Sequence, residues 1–127
     1  MQTRTLYVCA DAQTHYECGC LGGCTDCDNA RLMRLARVAL CESRHEIPQA
    51  VDGAIFGQSV DPTSPLKLEA EARRVIKESG VEYLTVYVTG LSVALVAVIN
   101  ACHALGVRLT LMHYDRERGK YFPQVVR

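Results

Sequence analysis

Apolar residues in the second half of the chain form blocks that alternate between strand-like and helix-like patterns. The run Tyr-Leu-Thr-Val-Tyr-Val at 83–88 is rich in β-branched and aromatic residues and predicts a strand. A tight turn at 89–92 follows, then an apolar helix over 93–105 that ends at Gly106, and a second strand over 107–112. Strand, helix and strand with short connections predict a right-handed βαβ unit and a parallel sheet.

The last part of the sequence predicts a hairpin. The hairpin loop at 115–120 holds five charged residues and Gly119, and the stretch at 121–126 predicts a final strand that lies antiparallel at one border of the sheet. No internal repeat or low-complexity tract divides the sequence. We therefore expect a single α/β domain over 1–127, with a Rossmann-like, mainly parallel sheet, flanking helices and a C-terminal hairpin.

The first half of the chain predicts two short strands and two helices. Residues 5–10 have the pattern of a buried strand, and 54–57 predict a second, shorter one. A helix is predicted over 31–40, where apolar residues recur at helical spacing and arginines lie on the other face. Another helix is predicted from Pro65 to about Ser79. The apolar positions of the first helix are Leu32, Leu35, Val38 and Ala39.

Composition and charge limit the classes of function. With 127 residues, 49% of them hydrophobic, the chain can fill one core. Lys+Arg and Asp+Glu both number 14, so the formal net charge is zero. The chain as a whole therefore does not attract duplex nucleic acid or an anionic membrane electrostatically. A local basic pocket is still compatible with zero net charge. The N-terminus lacks a signal-peptide pattern, and no apolar run reaches the roughly 18 residues of a membrane span. We expect a cytoplasmic protein.

Four of the seven cysteines, Cys18, Cys20, Cys24 and Cys27, are clustered in the sequence and separated by short links that contain glycines. Thiolates bind Zn²⁺ at about 2.3 Å, and flexible links let the backbone fold the sulfurs around one ion. Clustered cysteines in a reducing compartment favour metal over disulfides. The cluster predicts a structural zinc site, because four thiolates leave no open position for water.

Other readings of the cysteine cluster stay open. An iron–sulfur cluster also uses four cysteines, although its better-known spacings differ. The pair Cys24 and Cys27 alone has the spacing of a redox motif, and His15 could replace one cysteine as a ligand. The remaining cysteines lie in apolar patterns and are predicted to be buried, inert thiols. They are Cys9, Cys41 and Cys102.

The turn between the predicted strand and the apolar helix is a candidate anion site. It consists of Thr89, Gly90, Leu91 and Ser92. Ligands of open parallel sheets bind beyond the carboxyl ends of the strands, and free amides at a helix N-terminus attract phosphate. Ser92 would cap the helix or donate to a phosphate. A plain capped turn is the alternative, and the turn lacks the lysine of a P-loop and the glycines of a dinucleotide fingerprint.

A second group of candidate residues follows the next strand. A histidine such as His113 can exchange a proton at physiological pH, and Arg116 or Lys120 can face an anion, although the same residues also suit an ordinary charged hairpin. The carboxyl ends of three strands, at Ala10, Val88 and Met112, are expected to lie at the same end of the sheet. Both candidate groups, and the cysteine loop beside them, would then surround one site.

The helix over 93–105 is apolar on nearly all sides, which suits burial on both of its faces. In a domain of this size a single sheet face does not cover so much apolar surface. We therefore expect a homodimer that packs partly through this helix.

The C-terminal half resembles small CRISPR-associated proteins of the CARF and ring-nuclease type. The likeness lies in Val-Tyr-Val-Thr-Gly-Leu-Ser at 86–92, the apolar helix, Leu-Thr-Leu-Met-His-Tyr-Asp-Arg at 109–116 and Tyr-Phe-Pro-Gln at 121–124. The likeness covers about half of the chain, and it lies more in the order of the predicted elements than in a specific motif. The cysteine loop is not part of it. The resemblance implies a Rossmann-like dimer that binds, and in some members cleaves, cyclic oligoadenylate messengers between its subunits.

If the resemblance extends to activity, the chemistry is that of a metal-independent phosphodiesterase. The site would position a ribose 2′-hydroxyl for attack on its own phosphate and stabilise the developing charge. Ser92, His113 and Arg116 are the candidate catalytic residues, and Lys120 a candidate ligand contact. Two other classes compete with this one. They are a non-enzymatic, zinc-stabilised protein-interaction module and a thiol redox protein.

Overall fold

A computed structural model describes residues 1–9, 30–42, 47–57 and 60–126. Within these ranges the chain forms a six-stranded sheet and two helices, so the predicted α/β class is confirmed. The helices are α1 (Pro65–Ser79) and α2 (Ser92–Leu105). The strands are β1 (Arg4–Cys9), β2 (Ala30–Cys41), β3 (Ala54–Phe56), β4 (Tyr83–Tyr87), β5 (Arg108–Asp115) and β6 (Lys120–Val126).

The sheet is mixed and not purely parallel. Its order is β1-β2-β4-β5-β6, and β3 also pairs with β2. Strands β2, β3, β4 and β5 share one direction, whereas β1 and β6 run antiparallel to their neighbours. The four parallel strands therefore end together, at what we call the carboxyl end of the sheet.

The predicted helix over 31–40 is wrong, because this segment forms the central strand β2. It pairs with β1 on one side and in parallel with β4 on the other, where Leu35 opposes Tyr83. A strand buried on both faces loses the regular apolar–polar alternation, so its apolar residues can match helical spacing by chance. Its alanines, leucines and arginines are also strong helix formers, and sheet pairing overrides that preference.

The expected position of the first strand's end is also wrong. Strand β1 is antiparallel to β2, with Cys9 opposite Ala30, so it ends where β2 begins. The end of β1 therefore lies at the opposite end of the sheet from the ends of β4 and β5. Because 31–40 is a strand and not a crossover helix, it can pair directly with β1, and this antiparallel pairing reverses the expected direction of β1.

Both helices pack on the same face of the sheet, and their predicted positions are confirmed. Apolar residues of α1 and α2 form one core cluster with Val38 of β2, Val86 of β4 and Leu111 of β5. Each helix ends at a glycine with a left-handed backbone, Gly80 and Gly106, as predicted. Neither helix in the described ranges is long and apolar enough to cross a membrane.

The opposite sheet face carries a smaller cluster of Met33, Leu35 and Tyr83. Tyr83 and Thr110 are almost fully buried there, and their hydroxyl oxygens are 3.4 Å apart. A hydrogen bond between two buried hydroxyls satisfies polar groups that would otherwise be costly to bury.

Candidate functional site

Strands β4 and β5 bring the two candidate groups of residues to the same end of the sheet. The strands are parallel neighbours, with Tyr87 opposite Met112, and the amide of Val88 donates to the carbonyl of Met112 at 3.0 Å. The 89–92 turn leaves the sheet from β4 at this point, and 113–116 leaves it from β5. The juxtaposition follows directly from the parallel register.

The turn before α2 is tight, and its conformation departs from the predicted cap. The amide of Leu91 donates to the carbonyl of Thr89 at 2.6 Å, which closes a three-residue turn around Gly90. Leu91 occupies the N-cap position in an extended conformation, and it contributes no side-chain cap. Ser92 is the first residue of the helix itself, so its hydroxyl is not the cap. The first amides of α2 therefore lack the side-chain acceptor that a serine cap would supply.

Gly90 is exposed, and its surroundings leave space beside the backbone. An added Cβ would meet no described atom within 4 Å, and the residue does not have a left-handed φ. The glycine is thus not required by the turn's own packing. A ligand could approach the backbone closely at this position.

His113 is half-buried at the carboxyl end of β5, on the face where the helices pack. Its Nε2 lies 2.7 Å from Oε1 of Gln124, and its ring centroid lies 5.4 Å from that of Phe122. Because an amide oxygen only accepts, the ring donates through Nε2–H. This tautomer leaves Nδ1 as the atom that can accept a proton.

The hairpin at 115–120 is organised by Asp115. Its carboxylate accepts the amides of Glu117 at 3.0 Å and Arg118 at 3.3 Å, and the Arg118 guanidinium lies 3.6 Å away. Arg116 and Lys120 are exposed, and neither makes an ion pair with any residue in the described ranges. Two cations of the hairpin therefore remain available to a ligand.

The structure places the two groups of candidate residues at one end of the sheet, without a hydrogen bond between the groups among the described residues. Thr89, Gly90, Leu91 and Ser92 lie at the same end of the sheet as His113, Arg116 and Lys120. No hydrogen bond among the described residues joins Ser92 to His113 or Arg116, so the structure does not contain a preformed catalytic chain between them.

The predicted metal ligands Cys18, Cys20, Cys24 and Cys27 lie outside the described residues. Among the residues that are described, no group of three or more histidine, cysteine, aspartate or glutamate side chains could hold a metal ion. The zinc site remains a prediction.

Three other cysteines lie in the described residues, and burial is described for two of them, Cys41 and Cys102, which are buried as predicted. Cys41 and Cys102 are free thiols. Burial raises the pKa of the Cys41 thiol, and it raises the pKa of Cys102 to about 12. Because the thiolate is the reactive form, neither residue suits redox chemistry near neutral pH.

A second cleft, of about 170 Å³, lies at the end of β3 beside the start of α1. Its lining includes Asp61, Glu71 and Lys67. Asp61 accepts hydrogen bonds from the hydroxyl and amide of Thr63 and the hydroxyl of Ser64, which lower its pKa. Two carboxylates against one ammonium make this cleft a poor site for a phosphate.

Three aromatic residues near the carboxyl end of the sheet had no role in the site predicted from the sequence. Phe122 lies beside His113, whereas Tyr114 and Tyr121 lie together on the other face of the hairpin, 5.2 Å apart between ring centroids. Tyr121 also packs edge-on against Tyr87 at 4.9 Å. The symmetrical placement of aromatic pairs on either side of the 115–120 turn is the signal that could have identified them.

Comparison with known proteins adds no assignment. No protein-family model, no curated protein and no solved structure matches this chain.

Proposed function

We propose that this protein binds a cyclic oligoadenylate messenger at the carboxyl end of its sheet. The proposal rests on the parallel register of β4 and β5. This register places the N-terminus of α2, which has no side-chain cap, at the same end of the sheet as the cations Arg116 and Lys120. Helix amides and unpaired cations together favour a phosphate-bearing ligand. The resemblance of the C-terminal half to ring nucleases supports a cyclic oligonucleotide over a mononucleotide.

The parallel block of the sheet supports a Rossmann-like mode of binding. In such sheets the ligand lies in the crevice beyond the carboxyl ends of the strands. The space beside Gly90 would let a phosphate oxygen approach the backbone. A ring-shaped ligand with several phosphates would use this site in both subunits of a homodimer.

We further propose that the site cleaves the ring without a metal. Arg116 and the amides of the 89–92 turn would stabilise the charge that develops on the phosphate. His113, held through Nε2 by Gln124, would accept the proton of the attacking 2′-hydroxyl at Nδ1. As the 2′-oxygen bonds to phosphorus, the bond from phosphorus to the 5′-oxygen of the next nucleotide breaks, and that oxygen takes a proton from water. The products are a 2′,3′-cyclic phosphate and a 5′-hydroxyl, and Ser92 would hold a phosphate oxygen or the leaving oxygen by a hydrogen bond.

Calorimetric titration with cyclic tetra-adenylate and cyclic hexa-adenylate tests the binding proposal. Arg116→Ala is expected to weaken binding by roughly 1.5–3 kcal/mol, because a charged hydrogen bond is lost. Arg74→Ala is the matched control: this exposed arginine lies in the second half of α1, paired with Glu78, and its loss should leave the affinity unchanged. No heat of binding to either ring, or equal losses in the two variants, would contradict the proposal.

Cleavage is tested by chromatography of the products after incubation with the same rings in a chelating buffer. His113→Ala should slow cleavage more than it weakens binding, since the imidazole moves a proton only during reaction. An unchanged rate in His113→Ala would remove this residue from the catalytic group.

The cysteine cluster supports a second, separable proposal, a structural zinc ion held by Cys18, Cys20, Cys24 and Cys27. Elemental analysis of reduced, metal-replete protein should find one zinc per chain, and Cys24→Ser should weaken its retention. Cys41→Ser is the control, because Cys41 is buried in β2 away from the cluster in sequence. A protein without zinc or iron would contradict the proposal, and iron would indicate the alternative cluster.

A further inference from the structure

The β5–β6 hairpin exposes one large aromatic side chain on each of its faces. Tyr114 is 52% exposed and Phe122 is 49% exposed. In each case about half of the residue remains accessible to solvent. The two residues are similarly exposed aromatics on opposite faces of the hairpin, so Tyr114 can serve as the control for Phe122.

The face of each aromatic follows from the strand register. His113 opposes Phe122, and both alternate in phase with Leu111, which packs in the core beneath the helices. Phe122 thus lies on the helix face, as does Val88, the residue that leads into the 89–92 turn. Tyr114 opposes Tyr121 on the other face, where Tyr121 already packs against Tyr87.

Phe122 and His113 form a small aromatic platform. Their ring centroids are 5.4 Å apart and their planes are tilted by 33°. The hydrogen bond from His113 to Gln124 fixes the imidazole at the inner end of the platform. Phe122 therefore contacts a fixed neighbouring ring while about half of the residue stays accessible, so a base can reach it.

The platform also lies close to positive charge and to the phosphate site proposed above. Arg116 and Lys120 belong to the same hairpin, and strand β6 is two strand spacings, or about 10 Å, from β4 and its turn. Unpaired nucleobases stack on aromatic side chains while cations hold the adjoining phosphates. An apolar peptide side chain would gain nothing from the cations.

We infer that Phe122, supported by His113, stacks one unpaired nucleobase of the ligand whose phosphate occupies the 89–92 turn. The inference rests on the proposed function, since it assigns the base of the same phosphodiester ligand. It adds a specificity-determining residue that phosphate contacts alone do not provide. The base would lie on the helix face of the hairpin, and the Tyr114 face would remain free of it.

The experiment compares two probes by fluorescence anisotropy competition. One is linear tetra-adenylate, and the other is a ribose-phosphate tetramer of equal charge without bases. Phe122→Ala should reduce the affinity for tetra-adenylate by about 5- to 100-fold, the range expected for one lost stack, and leave the abasic probe unaffected. Phe122→Leu keeps apolar bulk without the ring and should show a loss close to that of alanine. Tyr114→Ala should change neither affinity.

A direct optical readout is available because the chain contains no tryptophan. Phe122→Trp places a single indole at the platform, and tetra-adenylate should quench its emission, whereas Tyr114→Trp should show no quenching. Circular dichroism melting confirms that each variant is folded before binding is measured.

The outcomes separate this inference from the proposed function. If the wild-type protein binds both probes and Phe122→Ala binds tetra-adenylate as tightly as the wild-type protein does, the stacking inference is wrong. Phosphate binding at the site would be unaffected by that result. Equal losses for both probes in Phe122→Ala would also overturn it, because the residue would then act on the fold. If the wild-type protein binds neither probe and no cyclic oligoadenylate, the proposed function fails and the platform fails with it.

Discussion

Asp52 is a buried carboxylate that joins three strands. Its side chain is nearly inaccessible, and one oxygen accepts the amide of Arg37 at 2.8 Å and the guanidinium of Arg4 at 3.1 Å. Its own backbone pairs with Gln2 and Arg37. This single residue therefore links β1, β2 and the start of β3, although nothing in the sequence around it marks it as structural.

Asp52→Ala should lower the free energy of unfolding by about 2–3 kcal/mol, because it leaves a buried amide without an acceptor and a partly buried guanidinium without its partner. Urea denaturation followed by circular dichroism measures the change. Glu78→Ala is the control, since the exposed pair with Arg74 is expected to contribute less than about 0.5 kcal/mol. Similar losses in the two variants would contradict the role given to Asp52.

Strand β2 is the element at which local preference and tertiary structure disagree. A helix would have buried Leu32 together with Leu35, whereas the strand leaves Leu32 54% exposed and Met33 only 1% exposed. The elements β4, α2 and β5 were predicted correctly, because their apolar patterns, turn glycines and β-branched residues all agree. In β2 these signals conflict, and only pairing with β1 and β4 decides between them.

A pair of neighbouring substitutions separates the strand from the helix. Met33→Ala should cost about 2–5 kcal/mol, the range for truncating a buried side chain, and Leu32→Ala less than about 1 kcal/mol. Thermal and urea unfolding of both variants provide the measurement. The reverse order of losses would favour the helix.

At the scale of the whole molecule, the homodimer remains a prediction, and the outer surface of α2 is where it can be tested. Val96 is 53% exposed and borders a shallow cleft between the helices, together with Pro65 and Val93. This apolar surface remains uncovered by any residue of the described chain. A second copy that packs here would bury it, and would place two carboxyl ends of the sheet in one assembly.

If the protein forms the predicted homodimer through α2, Val96→Arg should convert it to a monomer at micromolar concentration, as measured by multi-angle light scattering. Val51→Arg is the control, since Val51 is a similarly exposed valine that precedes β3, and it should leave the mass unchanged. A wild-type protein that is already monomeric would contradict the prediction.

The position of most candidate site residues at one end of the sheet was predicted from the sequence, and their roles remain predictions. The placement of the 89–92 turn beside His113 and Arg116 follows from one parallel connection, β4 to β5, whose signals are local. The cap at Ser92 was predicted wrongly, because the helix begins one residue earlier than expected and Leu91 takes the N-cap position. Phe122 was missed because its exposure depends on which face of the sheet the helices cover.

Local sequence patterns were enough to predict α1, β4, α2, β5 and the hairpin, since each depends on residues near one another along the chain. Strand pairing in the folded protein makes 30–41 a strand, sets β1 antiparallel to it and buries Asp52 beside them. The two outcomes differ because the interactions behind them act over different ranges. Helix propensity and turn preferences act over a few residues, whereas strand pairing and burial are set by partners that are distant in sequence and meet only in the folded protein.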